Sequence, residues 1–129
     1  MKILVIDDDP AMTDLLKVLL APTGALILTA LTGQDGLAQA AQHNPDILIL
    51  DLMMPEMDGW QVCRKVRETS KTPILILSAL DSPGMVAAAL DAGADDYLIK
   101  PVTSGVLIAH INKLVRRNWV EQGLRTLIV

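Results

Sequence analysis

An α/β fold, a doubly wound five-stranded parallel sheet, is what the order of residues predicts, and three observations carry it. Short aliphatic runs alternate with helix-period segments five times, joined by short connections. Ile3-Leu4-Val5-Ile6, Ile47-Leu48-Ile49-Leu50 and Ile74-Leu75-Ile76-Leu77 show no polar alternation, the pattern of strands buried on both faces. These runs stop at a polar or charged side chain, Asp7, Asp51 or Ser78, and a weaker run ends at Lys100. Open α/β sheets hold their ligands just outside such carboxyl ends.

The first run, Ile3 to Ile6, leads into Asp7-Asp8-Asp9. Asp9-Pro10 reads as an N-cap followed by the first helical residue, because proline lacks a donor that this position would leave unpaired. Met12, Leu15, Leu16, Leu19 and Leu20 then recur at helical spacing, and Pro22 with Gly24 ends the segment. Ala25 to Ala30 is a second strand. Thr32 with Asp35 is a helix-start pair, Leu37, Ala40 and Ala41 form the inner face, and His43-Asn44-Pro45 stops that helix.

Ile47 to Leu50 is the central strand, ending at Asp51, and Pro55 forbids its continuation. Asp58 caps the next helix with Gln61 in the reciprocal position, and Val62, Cys63 and Val66 point inward. Pro73 opens the strand Ile74 to Leu77, which hands over to Ser78-Ala79. Ser82-Pro83 starts a short alanine-rich helix carrying Met85, Val86, Ala89 and Leu90, closed by Gly93. Asp95 to Ile99 is the weakest strand. A last helix from about Thr103 carries Leu107, Ile108, Ile111, Leu114 and Val115.

Bulk properties exclude several classes. The 129 residues suit one domain with a proper core. No window reaches the roughly 20 apolar residues of a membrane span, and the first apolar run is too short for a signal peptide. Cys63 is the only cysteine, which excludes an internal disulfide and fits a reducing, cytoplasmic setting. A net charge of −4 and near absence of aromatic residues offer neither a basic face nor a stacking surface for nucleic acid.

Parallel strands with right-handed crossovers bring Asp7, Asp8, Asp51, Ser78 and Lys100 to one rim. Carboxylates that close repel one another unless a cation intervenes, and oxygen-only donors favour a hard divalent ion such as Mg²⁺. Lys100 adds a point charge and Ser78 a hydrogen bond to a phosphoryl oxygen. An aspartate nucleophile, Asp51, a metal and a lysine make up the minimum set for aspartyl-phosphate chemistry. Taken singly, each residue has a duller explanation: Asp7-Asp8-Asp9 as a turn and cap, Lys100 as a solvated cation, Tyr97 as core with a wet tip. His110 has no acidic or thiol partner nearby in sequence, so no metal site is assigned to it. The conjunction at four strand ends is what outweighs these.

Four motifs stand in order from residue 1 to about 117: Lys2-Ile3-Leu4-Val5-Ile6-Asp7-Asp8-Asp9, the block from Pro45 to Gly59 with Asp51-Leu52-Met53-Met54-Pro55-Glu56-Met57-Asp58-Gly59, Pro73 to Ala79, and Ala94 to Pro101. With them the chain resembles the receiver domain of a bacterial two-component response regulator. The resemblance implies a flavodoxin-like sheet in strand order 2-1-3-4-5 flanked by five helices. It implies that Asp51 accepts a phosphoryl group from the phosphohistidine of a sensor histidine kinase. Asp8 and Asp51 would ligate Mg²⁺ directly, Asp7 through water, and the Met53 backbone carbonyl would complete the protein ligands. Lys100 would pair with the phosphoryl group, Ser78 and Tyr97 would switch position, and Lys100-Pro101 would be cis. Such a domain is a phosphoacceptor switch, without separate substrate turnover.

The last helix resembles that of regulators fused to DNA-binding domains, which implies transcriptional output through a domain outside this chain and a homodimer across the last two helices and strand. His110 and Asn112 stand where that subfamily usually has arginine, and the helix after Ser82 carries no basic residue, so Asp95 and Asp96 are expected to lack some dimer partners. Residues 1–117 read as the receiver, and 118–129 as an extension of the last helix or a linker, with Trp119, Val120, Gly123, Leu124 and Leu127 near helical spacing. The alternative on the same fold is a phosphorylation-independent pseudo-receiver, against which the presence of all five rim residues argues. An aspartate-nucleophile phosphatase would need a second acid where Met53 stands, and a flavin binder would need a Ser/Thr/Gly-rich first loop.

Overall fold

Each aliphatic run becomes a parallel strand, because only a sheet covered on both faces can bury such a run completely. The structure, a computed structural model, describes residues 1–123. Its strands are β1 Lys2–Ile6, β2 Leu26–Ala30, β3 Ile47–Leu50, β4 Ile74–Ser78 and β5 Asp96–Ile99. They form one parallel sheet in the order β2-β1-β3-β4-β5. The helices are α1 Pro10–Leu20, α2 Gly33–His43, α3 Gly59–Thr69, α4 Pro83–Asp91 and α5 Ser104–Glu121.

Alternate residues of one strand feed two separate cores. Leu4, Ile6, Leu48, Leu50, Ile74 and Ile76 pack with Val62, Cys63 and Val66 of α3, Ala89 of α4, and Leu37 and Ala40 of α2. Ile3, Val5, Ile47, Ile49, Leu75 and Leu77 pack with Leu16 and Leu20 of α1 and Leu107, Ile111, Leu114 and Val115 of α5. Ile6 pairs with Leu50 and Leu50 with Ile76, so β1, β3 and β4 reach the same rim.

Caps fix where the helices begin. Asp9 accepts from the Ala11 amide at 3.0 Å, Thr32 from Asp35 at 3.0 Å, and Asp58 and Gln61 form the reciprocal box. Helix phase departs from the sequence reading at several positions. Leu15 is 47% exposed and Thr13 is buried in its place, its hydroxyl bonded to the Pro10 carbonyl. Ala41 of α2 and Met85 and Leu90 of α4 also face outward. Hydrophobic spacing marks a stripe, and the tilt of the helix against the sheet decides which edge of the stripe is covered.

Asp95 and Asp96, expected to lack some partners across a dimer, are engaged within the chain. Arg67 and Arg117 hold Asp95 at 2.7 and 3.2 Å, and His110 and Lys113 approach Asp96. Helix α5 continues to Glu121, and the Trp119 indole donates to Asp46 at 3.3 Å. Leu124 and Leu127 lie outside the described residues. Among the described residues no helix is long and apolar enough to cross a membrane.

Candidate functional site

Asp7 follows β1 directly, its amide held by the Ala30 carbonyl at 3.1 Å, and it is only 3% exposed. Asp51 follows β3, its amide held by the Ile6 carbonyl at 3.0 Å. The last residues of the sheet ladder therefore fix both acids, and exposed Asp8 stands beside them. One carboxylate oxygen from each of Asp7, Asp8 and Asp51 lies within 4.8 Å of the other two. Two oxygens on one Mg²⁺ at about 2.1 Å each are about 3 to 4 Å apart, so this spacing fits ligands of a shared ion.

Lys100 follows β5, its amide bonded to the Ser78 carbonyl at 2.8 Å, and the Lys100-Pro101 peptide is cis. Its ammonium reaches Asp7 at 3.0 Å and Asp51 at 4.0 Å. It is thus nearer Asp7 than the proposed acceptor. Three carboxylates against one ammonium leave negative charge that a divalent cation can balance, with oxygen donors only. The triad is a candidate Mg²⁺ site on that ground.

Burial pushes the Asp51 carboxyl above its ordinary 3.8, and neighbouring Asp7 adds to this. The Lys100 ammonium, the Met53 amide and the Ser78 hydroxyl pull it back without cancelling the rise. Ser78 is 1% exposed and accepts from the Leu80 amide at 3.3 Å. The Tyr97 hydroxyl donates to the Leu80 carbonyl at 2.6 Å, which joins the two residues expected to switch. Burial raises the Tyr97 hydroxyl pKa, against the Ser78 hydrogen bond. The Met53 side chain is 60% exposed on the loop after Asp51, where Glu56 takes a positive φ of 67°.

All the rim residues expected from the sequence therefore meet. The model of the response regulator receiver domain matches residues 3–112. The chain belongs to this family. The receiver is 41% identical to the transcriptional regulatory protein AfsQ1 of Streptomyces coelicolor over 119 residues, 92% of this chain and 53% of that protein. It is 46% identical to the response regulator MprA of Mycobacterium avium over 122 residues, 94% of this chain and 54% of that one. The receiver spans about half the length of the curated relatives it matches. Its fold superposes on the receiver domain of the Francisella response regulator 1452 with a TM-score of 0.84 at 36% identity, covering 91% of this chain and 98% of that one. The acidic cluster on the rim is accordingly that of a receiver domain, consistent with a phosphoacceptor and Mg²⁺ site.

A contact beside Tyr97 has no counterpart in the sequence pattern. His110 contacts Asp96, fourteen positions earlier and on a different element, and nothing local to either residue signals the pair.

Proposed function

We propose that Asp51 is the phosphoacceptor, that Asp8, Asp51 and the Met53 carbonyl hold Mg²⁺ with Asp7 acting through water, and that Lys100, Ser78 and Tyr97 read the added group. The observation that carries this reading is the meeting of three carboxylates and one ammonium around a single point on the rim. An Asp51 oxygen attacks the phosphorus of a kinase phosphohistidine. The new O–P bond forms as the P–N bond breaks, and the leaving imidazole keeps the electron pair and takes a proton. Bound Mg²⁺ supplies screening between the two anionic reactants. Lys100, anchored by Asp7, sits within reach of charge developing beside Asp51. Ser78 turns its hydroxyl to a phosphoryl oxygen and so releases the Leu80 amide, which frees the Tyr97 anchor.

The same reading divides the chain into a receiver at 1–117 and, at 118–129, an extension of α5 or linker toward an output domain. Support comes from the relatives, which are about twice as long and include a protein described as a transcriptional regulator. DNA contact then belongs to that output domain. A homodimer across α4, β5 and α5 would rest on apolar Met85, Leu90 and Ile99, since Asp95 and Asp96 are engaged within the chain.

Mg²⁺ titration tests the site directly. Trp60 opens α3 just after the acceptor loop, and its indole nitrogen is buried and unpaired, so its emission responds to movement of that loop. In a Trp119→Phe background, Mg²⁺ should change Trp60 emission saturably, and Asp8→Asn should weaken the effect at least tenfold. The folded Asp51 carboxyl titrates above 3.8, so the folded chain binds more protons than the unfolded one over the window just above that value. Without metal, stability contributed by this group falls as pH rises through the window, while Mg²⁺ affinity increases. A pH-independent midpoint would remove Asp51 from the ligand set.

A further inference from the structure

His110 lies in the second turn of α5, and its Nδ1 sits 2.5 Å from Asp96 Oδ2 at the start of β5. The other Asp96 oxygen accepts from the Tyr97 amide at 2.8 Å. One carboxylate therefore ties an α5 imidazole to the backbone of a residue that the reading above treats as a switch. The imidazole must donate at Nδ1 to make this contact, and full protonation adds a charge that strengthens it.

Few other charges face the pair. Lys113, a turn further along α5, is 3.6 Å from Asp96 and mostly solvated. Helix α4 carries no charged residue before Asp91, at its last position. From β5, Tyr97 presents its amide, and Asp95 is already engaged by Arg67 and Arg117. Burial works to raise the Asp96 carboxyl, but the His110 hydrogen bond, the Tyr97 amide and the charges of His110 and Lys113 hold it below the ordinary carboxylate range.

Polar contacts continue from this pair to the rim. Tyr97 donates to the Leu80 carbonyl at 2.6 Å, the Leu80 amide donates to Ser78 Oγ at 3.3 Å, and Ser78 lowers the Asp51 carboxyl. A path of contacts is not coupling unless one element has two arrangements that both ends bias. In the reading proposed above, Tyr97 is that element. There Ser78 rotates to donate to a phosphoryl oxygen, which carries its Oγ away from the Leu80 amide, and Leu80 is the anchor of the Tyr97 hydroxyl.

We propose that the His110–Asp96 pair is a proton-operated latch on Tyr97, so that a proton on His110 and a phosphoryl group on Asp51 oppose each other. The proposal rests on the assignment of Asp51 as acceptor. Linkage makes the effect reciprocal: occupancy at Asp51 lowers the proton affinity of His110, and acid pH lowers occupancy by the same factor.

Proton NMR of the full chain tests this, with the imidazole signals of His110 and His43 followed from about pH 5 to 8, the range in which histidine changes charge. The probe is beryllofluoride, a phosphoryl mimic, added with Mg²⁺ and compared with Mg²⁺ alone. Proton affinity at His110 should fall about fivefold, at the lower end of ordinary coupling, while His43 stays put. Beryllofluoride affinity should weaken toward acid pH more in the wild type than in His110→Asn or Asp96→Asn, the two variants agreeing with each other. If the Ser78 and Leu80 amides report binding but His110 moves no more than His43, the latch is wrong and the acceptor assignment stands. If those amides report no binding at all, the acceptor assignment fails and the latch falls with it. Should Asp96→Asn fail to fold, the histidine shift and His110→Asn decide the matter alone.

Discussion

A Lys100→Met chain should take up phosphoryl groups from a small-molecule donor about 10² to 10³ times more slowly than the wild type, the usual loss when one preorganised electrostatic contact to developing charge is removed. Among the described residues, Lys100 is the one cation close to both Asp7 and Asp51, at 3.0 and 4.0 Å. Methionine keeps much of the stem but offers neither charge nor donor. The substitution also strips the partner from an almost fully buried Asp7, a change that costs on the order of 3 kcal/mol when one member of a buried pair is removed. Rates are therefore compared at saturating Mg²⁺ and at a temperature where circular dichroism shows both chains folded. Labelling at the wild-type rate would mean that Lys100 serves only to neutralise Asp7.

Gly59→Ala should be the most damaging of the conservative substitutions, lowering stability by about 3 kcal/mol, the upper end for overpacking. A Cβ there would stand 2.5 Å from the Asp51 carbonyl oxygen and 2.7 Å from the Leu52 Cα, both backbone atoms. Neither can rotate aside, so the acceptor loop itself has to move. The Gly59 amide also bonds the Leu52 carbonyl at 2.9 Å, which closes that loop. Urea denaturation measures the stability loss, and the Mg²⁺ response of Trp60 should weaken with it. Gly105→Ala is the control: a Cβ there meets nothing within 4 Å, and alanine should stabilise the first turn of α5 by up to about 1 kcal/mol. Equal behaviour of the two variants would show that the acceptor loop yields easily.

What the sequence made legible was either local or repeated. Asp58 and Gln61 form their box three residues apart, and Asp9-Pro10 starts α1 as the residue types require. Ile47 to Leu50 gave two-sided burial, and a parallel sheet carries every strand's end to one rim, so the meeting of Asp7, Asp8, Asp51 and Lys100 followed from topology. The rest depends on distances that no local pattern encodes. Lys100 lies nearer Asp7 than Asp51, a difference of 3.0 against 4.0 Å that nothing in the sequence marks. Arg67 bonds the Gly93 and Thr72 carbonyls and Asp95, joining α3 to the starts of β4 and β5, although in sequence it looks like any solvated helix-end cation. His110 found Asp96 only through the docking of α5 against β5, and on α1 Thr13 is buried while Leu15 is exposed.

Intact-mass measurement after incubation with Mg²⁺ and a small phosphoryl donor reaches the centre of the account. One added phosphate should appear on the wild type, vanish when the divalent ion is chelated, and never form on Asp51→Asn. A wild-type chain that stays unlabelled, or an Asp51→Asn chain that labels as well as its parent, would contradict it.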